Sequence, residues 1–185
     1  LTSSLLFVLM SVYFGTSVAS RELKFPVFSS HHKKTIGTIM TVVGVIFIFV
    51  AVYRPSYANM TTIKAMTFQQ TSGLQNPVDI LNGTREYYDK ALAMDTFGNY
   101  EIREFYLQKS LEYINLLPQV SDENVKGAIN NIRDDALNNF QIQIQKNPFD
   151  HRALFMLGLY YLNTHDYDKA VEILEQAKNR APNKQ

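Results

Sequence analysis

The sequence predicts an all-α protein: two transmembrane helices followed by an α-helical solenoid of stacked hairpins. Three observations carry this. Residues 1–20 and 35–53 contain no Asp, Glu, Lys or Arg. Downstream of residue 76, apolar residues recur at steps of three and four, the helical period, and nowhere alternate as in a strand. Pro148 and Pro182 stand 34 residues apart and bracket two short periodic runs, the period of a helical-hairpin repeat.

The charge-free runs come first in the chain. About 18 or more apolar residues without charge read as a membrane-spanning helix. The run 35–53 qualifies, and at 1.5 Å per residue it makes a helix roughly 28 Å long, close to the thickness of bilayer hydrocarbon. The run 1–19 is similar. It opens with Leu1 rather than Met, so more chain and further spans are expected upstream. A secretory signal that has lost its start is the competing reading, since Ser17-Val18-Ala19 has the small residues of a cleavage site. Against it, no basic residue precedes the apolar stretch, which is also long for a signal. Membrane lipid is the first partner this pattern implies.

Residues 20–34 form a basic loop with Arg21, Lys24, Lys33 and Lys34 against Glu22, a net charge of +3. Short basic loops stay on the cytoplasmic side, so the chain after Arg54 is expected outside the cytoplasmic membrane. That remainder holds 14 Lys and Arg against 16 Asp and Glu. The mild basicity of the whole therefore belongs to the loop, and nucleic acid is excluded as a partner. His31 and His32 lie in the loop without carboxylate or thiolate neighbours, and no metal site is read there. With no Cys in the chain, disulfides and thiolate metal sites are excluded too.

Arg54-Pro55-Ser56 is expected to end the second span, because proline lacks an N–H and restricts the residue before it. Residues 54–76 read as a linker with one short helix over 60–70. The next helix starts near Pro77, where proline suits a first turn, or after Gly83, and is broken at Phe97-Gly98-Asn99. Another spans 100–117, with Ile102, Phe105, Tyr106, Tyr113, Ile114 and Leu117 as its buried face. Ser121 or Asp122 caps the one after. It carries Val125, Ile129, Ile132, Ala136, Phe140 and Ile144 at steps of three and four and stops at Asn147-Pro148. The sequons Asn59-Met60-Thr61 and Asn82-Gly83-Thr84 are assigned no function.

From His151 the pattern sharpens. Leu154, Leu157, Gly158 and Tyr161 share one helical face. After a turn at Thr164-His165-Asp166, Ala170, Leu174 and Ala177 share another, and Pro182 ends it. Residues 148–185 thus resemble a tetratricopeptide (TPR) repeat, with Leu154 in place of the usual Trp and Leu174 in place of the usual Phe. Small residues at Gly158 and Ala170 let the two helices approach, and Tyr161 and Leu174 fill the space between them. Upstream, Ala136 and Phe140 precede Pro148 as Ala170 and Leu174 precede Pro182, although Gln143 stands where Ala177 would. Tyr88 and Ala91 repeat the spacing of Leu174 and Ala177. Residues 77–147 are accordingly read as degenerate TPR-like helices completing a stack that one repeat cannot form alone. The resemblance implies a protein partner on the concave face of the first helix of the last repeat: Arg152, Phe155, Leu159 and Asn163. That set lacks the Lys/Asn pattern of the TPR clamps that hold a peptide carboxylate.

No phosphate loop, nucleophile elbow or zinc pattern is present, so no catalytic residue and no cofactor is assigned. The order of features, with membrane spans, a helical linker, the run Ala93-Met94-Asp95-Thr96-Phe97-Gly98-Asn99-Tyr100-Glu101-Ile102-Arg103-Glu104 and then repeats, resembles the C-terminal part of bacterial O-antigen ligase/polymerase-like membrane proteins with TPR tails. That resemblance implies a multi-pass protein of the bacterial inner membrane that transfers lipid-linked oligosaccharide or polysaccharide. Its catalytic residues, and any contact with lipid-linked glycan, would lie upstream, and its tail would dock a protein. A non-catalytic, membrane-anchored TPR adaptor of an envelope complex is the alternative.

Overall fold

The structure, a computed structural model, describes residues 30–180, with side chains from residue 38 onward. It divides into two compact units, residues 1–54 and 55–185. The expected first span, 1–19, and residues 20–29 of the basic loop lie outside the described residues, as does Pro182.

In the first unit, helix α1 (Ser30–Ile48) leads into a π-helical turn, Phe49–Tyr53. The helix begins earlier than expected, taking residues 30–34 from the loop into its first turns. Its large apolar side chains are exposed on every side, from 52% for Val42 and Ile48 to 66% for Met40. Among the described residues, one helical run, Thr38–Thr71, is long and apolar enough to cross a membrane; its apolar window has a mean hydropathy of 1.9 and is 6% buried. A helix that is apolar all round needs an apolar environment.

Pro55 does not stop the helix. In an unbroken α-helix its ring would collide with the carbonyl of Ala51 and its missing N–H would leave a gap. Here the Arg54 N–H bonds to the Phe49 carbonyl, five residues back, and the widened π turn removes the conflict. Helix α2 (Arg54–Thr71) then runs well beyond the short helix expected over 60–70. Its Ala58, Thr61, Thr62 and Ala65 are buried, so most of the expected linker is part of the second unit's packing, leaving residues 72–76 as connection. The buried threonines are satisfied locally: Thr61 and Thr62 hydroxyls donate to the Tyr57 and Ala58 carbonyls at 2.7 and 2.9 Å.

The second unit continues with α3 (Pro77–Leu92), α4 (Asn99–Ile114), a 3-10 turn at Leu117–Gln119, α5 (Glu123–Lys146), α6 (His151–Asn163) and α7 (Tyr167–Arg180). Each start has its reason. Asn76 accepts from the Val78 N–H with Pro77 in the first turn. Asp122, rather than Ser121, accepts from the Asn124 N–H at 2.8 Å. Asp150 accepts from the N–H groups of Arg152 and Ala153. Such caps satisfy donors that the helix itself leaves open. Helix α4 ends three residues short of the expected Leu117, because Pro118 favours the tight turn that follows it.

Helix α4 packs on α5 and α6 on α7 as hairpins; α5 and α4 both touch α6, and α3 lies on α4 and α5. Helix α2 meets α3 through Phe68, whose ring occupies the room that Gly83 leaves by lacking a Cβ and lies 5.3 Å from the Tyr87 ring. In α7 Ala170, Leu174 and Ala177 stand at steps of four and three, as do Thr84, Tyr88 and Ala91 in α3; in α5 Ala136 and Phe140 keep the first step, but the third position is Gln143 rather than a small residue. All are buried except Leu174, which is half-buried. Expected core residues Ile102, Tyr106, Tyr113, Val125, Ile129 and Ile132 are buried, Ile114, Leu117 and Ile144 are partly so, and Phe105 is exposed.

Polar groups stitch the layers. The Tyr88 and Tyr106 rings stack at 4.4 Å, and the Thr84 and Tyr113 hydroxyls meet at 3.3 Å. Arg103 donates to the Gln143 side-chain oxygen at 2.7 Å, both groups being buried. Burial pulls the Arg103 pKa below its ordinary value, opposed by the charge of Asp95. The Gln that breaks the repeat pattern at 143 is therefore the hydrogen-bond acceptor for an interior guanidinium.

Candidate functional site

The last hairpin positions the predicted residues as follows. Leu154, Leu157, Gly158, Ala170 and Ala177 are buried, with Tyr161 and Leu174 half-buried against them. A Cβ on Gly158 would come within 2.6 Å of Leu174 Cγ and Cδ2, so only glycine permits the observed approach of α6 to α7. His165, with φ of 62°, reverses the chain between them.

On the opposite face of α6, Arg152, Phe155, Leu159 and Asn163 follow at steps of three, four and four. Their roles differ. Arg152 donates to both carboxylate oxygens of Glu104 on α4, at 3.0 and 3.3 Å, and lies 5.4 Å from the centre of the Tyr100 ring. Tyr100 and then Glu104 raise its pKa above the ordinary value. It thus clasps α4 to α6 and is engaged within the fold. Phe155 stands 50% exposed. Leu159 and Asn163 line a shallow groove between α4 and α6, together with Leu107, Gln108, Leu111 and Met156, of about 150 Å³. The Asn163 amide donates to the Leu159 carbonyl at 2.8 Å.

The sequence reading did not include α4 in this surface. Glu101, Phe105 and Gln108, at steps of four and three, face outward and line openings along α4. One of these, between α2 and α4, holds about 470 Å³. The spacing was available as a signal, but the same spacing also marks a buried stripe, and Phe105 was read as core. A further opening of about 450 Å³, near the α6–α7 turn, is edged by Arg133, Asp134, Asp166 and Lys169, which pair internally at 2.9 and 2.7 Å. Among the described residues, no group of three or more His, Asp or Glu side chains could hold a metal ion. Both sequon hydroxyls, Thr61 and Thr84, are buried and hydrogen-bonded.

Helices α6 and α7 form a two-helix hairpin whose second helix carries Ala170, Leu174 and Ala177 at steps of four and three. In agreement, the model of the tetratricopeptide repeat family matches residues 151–184, so the C-terminal hairpin, α6 and α7, is a TPR repeat. No curated protein and no solved structure matches the chain. Repeats of this architecture use their exposed helix faces to bind other proteins.

Proposed function

We propose that this chain is the membrane-anchored C-terminal region of a polytopic O-antigen ligase/polymerase-like protein, and that its hairpin unit docks a protein partner outside the bacterial cytoplasmic membrane. The docking part rests on one observation: α4 and α6 leave Phe105 and Phe155 exposed and Leu159 half-buried at the edge of a shallow groove, and TPR stacks bind partners on exposed helix faces. The anchoring part is supported by the apolar run within Thr38–Thr71, and its orientation by the +3 loop before it. The glycan-transfer part is supported by the resemblance of the chain's order of features alone. No residue of this chain is assigned a catalytic step.

Placing a photo-crosslinking amino acid at Leu159 in the full protein in its own cells should give one discrete crosslinked protein. The same probe at Glu172, on the exposed side of α7, should give none. Equal yields from the two positions, or none from either, would overturn the docking reading. Alkaline phosphatase fused after Pro182 should be active; an inactive fusion would place the tail on the cytoplasmic side.

A further inference from the structure

Several of the apolar side chains that the second unit leaves exposed lie together on α2 and α4. Ile63 (60% exposed) and Met66 (40%) on α2, Phe105 (39%) on α4 and Phe97 (85%) on the turn before α4 border the open groove of about 470 Å³. That size lies within the ~300–1,000 Å³ of ligand pockets. Contiguous apolar exposure of this kind marks an interaction surface, and methionine adapts its shape to what lands on it. One charged residue lines the groove, Glu101, and among the described residues it makes no ion pair. The groove therefore offers an unmatched carboxylate beside an apolar floor. An acyl chain would carry that carboxylate into hydrocarbon, and an anionic headgroup would be repelled by it.

We infer that the groove takes a segment of a partner protein that presents aromatic or aliphatic side chains next to a Lys or Arg. The apolar chains insert between Ile63, Met66 and Phe105, and the cation sits on Glu101. This rests on the docking reading above and names the partner's chemistry.

The test pans the full chain, in detergent micelles, against a random peptide library displayed on phage. Enriched peptides should combine aromatic or aliphatic residues with Lys or Arg. Glu101→Lys should weaken a representative basic peptide on the order of tenfold and turn enrichment toward Asp and Glu. Ile63→Asp should abolish enrichment. Both positions are exposed, and unchanged far-UV circular dichroism of each variant verifies the fold. Enrichment of nothing, or of peptides indifferent to Glu101→Lys, overturns the inference. So does self-association, or retention of phosphatidylglycerol in native mass spectrometry, that Ile63→Asp removes, since the occupant is then a second copy or a lipid. A discrete crosslink from Leu159 alongside indifferent panning leaves the docking reading standing and this inference refuted; silence in both experiments refutes both.

Discussion

Gly158→Ala isolates the contact on which the last hairpin depends. Alanine is favoured over glycine inside a helix by about 1 kcal/mol, so propensity alone predicts a stabilised α6. The structure predicts the reverse. The added methyl would lie 2.6 Å from Leu174 Cγ and Cδ2, whereas carbon atoms rest at about 3.5–4.0 Å. About 1 Å of separation must be found, by turning Leu174 off its rotamer or by pushing α7 away. Overpacking of this kind costs about 1–3 kcal/mol. After the propensity gain, the net expectation is a loss of about 1 kcal/mol, or a melting temperature lower by a few degrees. Thermal unfolding of the chain in detergent, followed by far-UV circular dichroism, measures it. In a Leu174→Ala background the obstacle is gone, and the same substitution should become neutral or stabilising by up to about 1 kcal/mol. A Gly158→Ala chain that melts at or above the parent temperature, or a loss that persists in the Leu174→Ala background, would refute the close-approach argument.

Two further outcomes follow from the interior. Gln143→Ala should cost about 2–3 kcal/mol by leaving the buried Arg103 guanidinium without its 2.7 Å acceptor, while Arg103→Met with Gln143→Leu should recover most of that in the same melting experiment. Burial, more than the nearby Tyr113 and Glu112, raises the Tyr88 pKa, and burial, more than Asp135 and Asp89, raises that of Tyr106. Their folded pKa values exceed the unfolded value of about 10, so this contribution to stability is intact below pH 10 and is lost as pH rises above it. Melting curves taken from neutral to strongly alkaline pH should fall less steeply for Tyr88→Phe than for the parent chain.

Helix periods were legible because each buried face is local in sequence. The stripe from Val125 to Phe140 needs only the 3.6-residue period, and Asp122 and Asn76 act on N–H groups two residues away. What sequence spacing misplaced was decided by partners far along the chain. Phe105 has the spacing of a core residue, but no neighbouring helix covers it. Arg152 belongs to the predicted face, yet Glu104, 48 residues earlier, engages it. Thr84 reads as an ordinary polar residue until Tyr113 meets its hydroxyl and the stack closes over it.

The TPR hairpin at 148–185 and the apolar run through residues 35–53 were determined by the sequence itself, since each is a contiguous pattern whose physics acts within one or two helices. The continuation of the helix through Pro55 required a π turn, which depends on backbone relief that spacing does not encode. The face on which α2 and α4 leave Glu101, Ile63 and Phe105 uncovered was decided by the tertiary structure alone. Exposure is a property of what packs against a helix, and those neighbours come from distant parts of the chain.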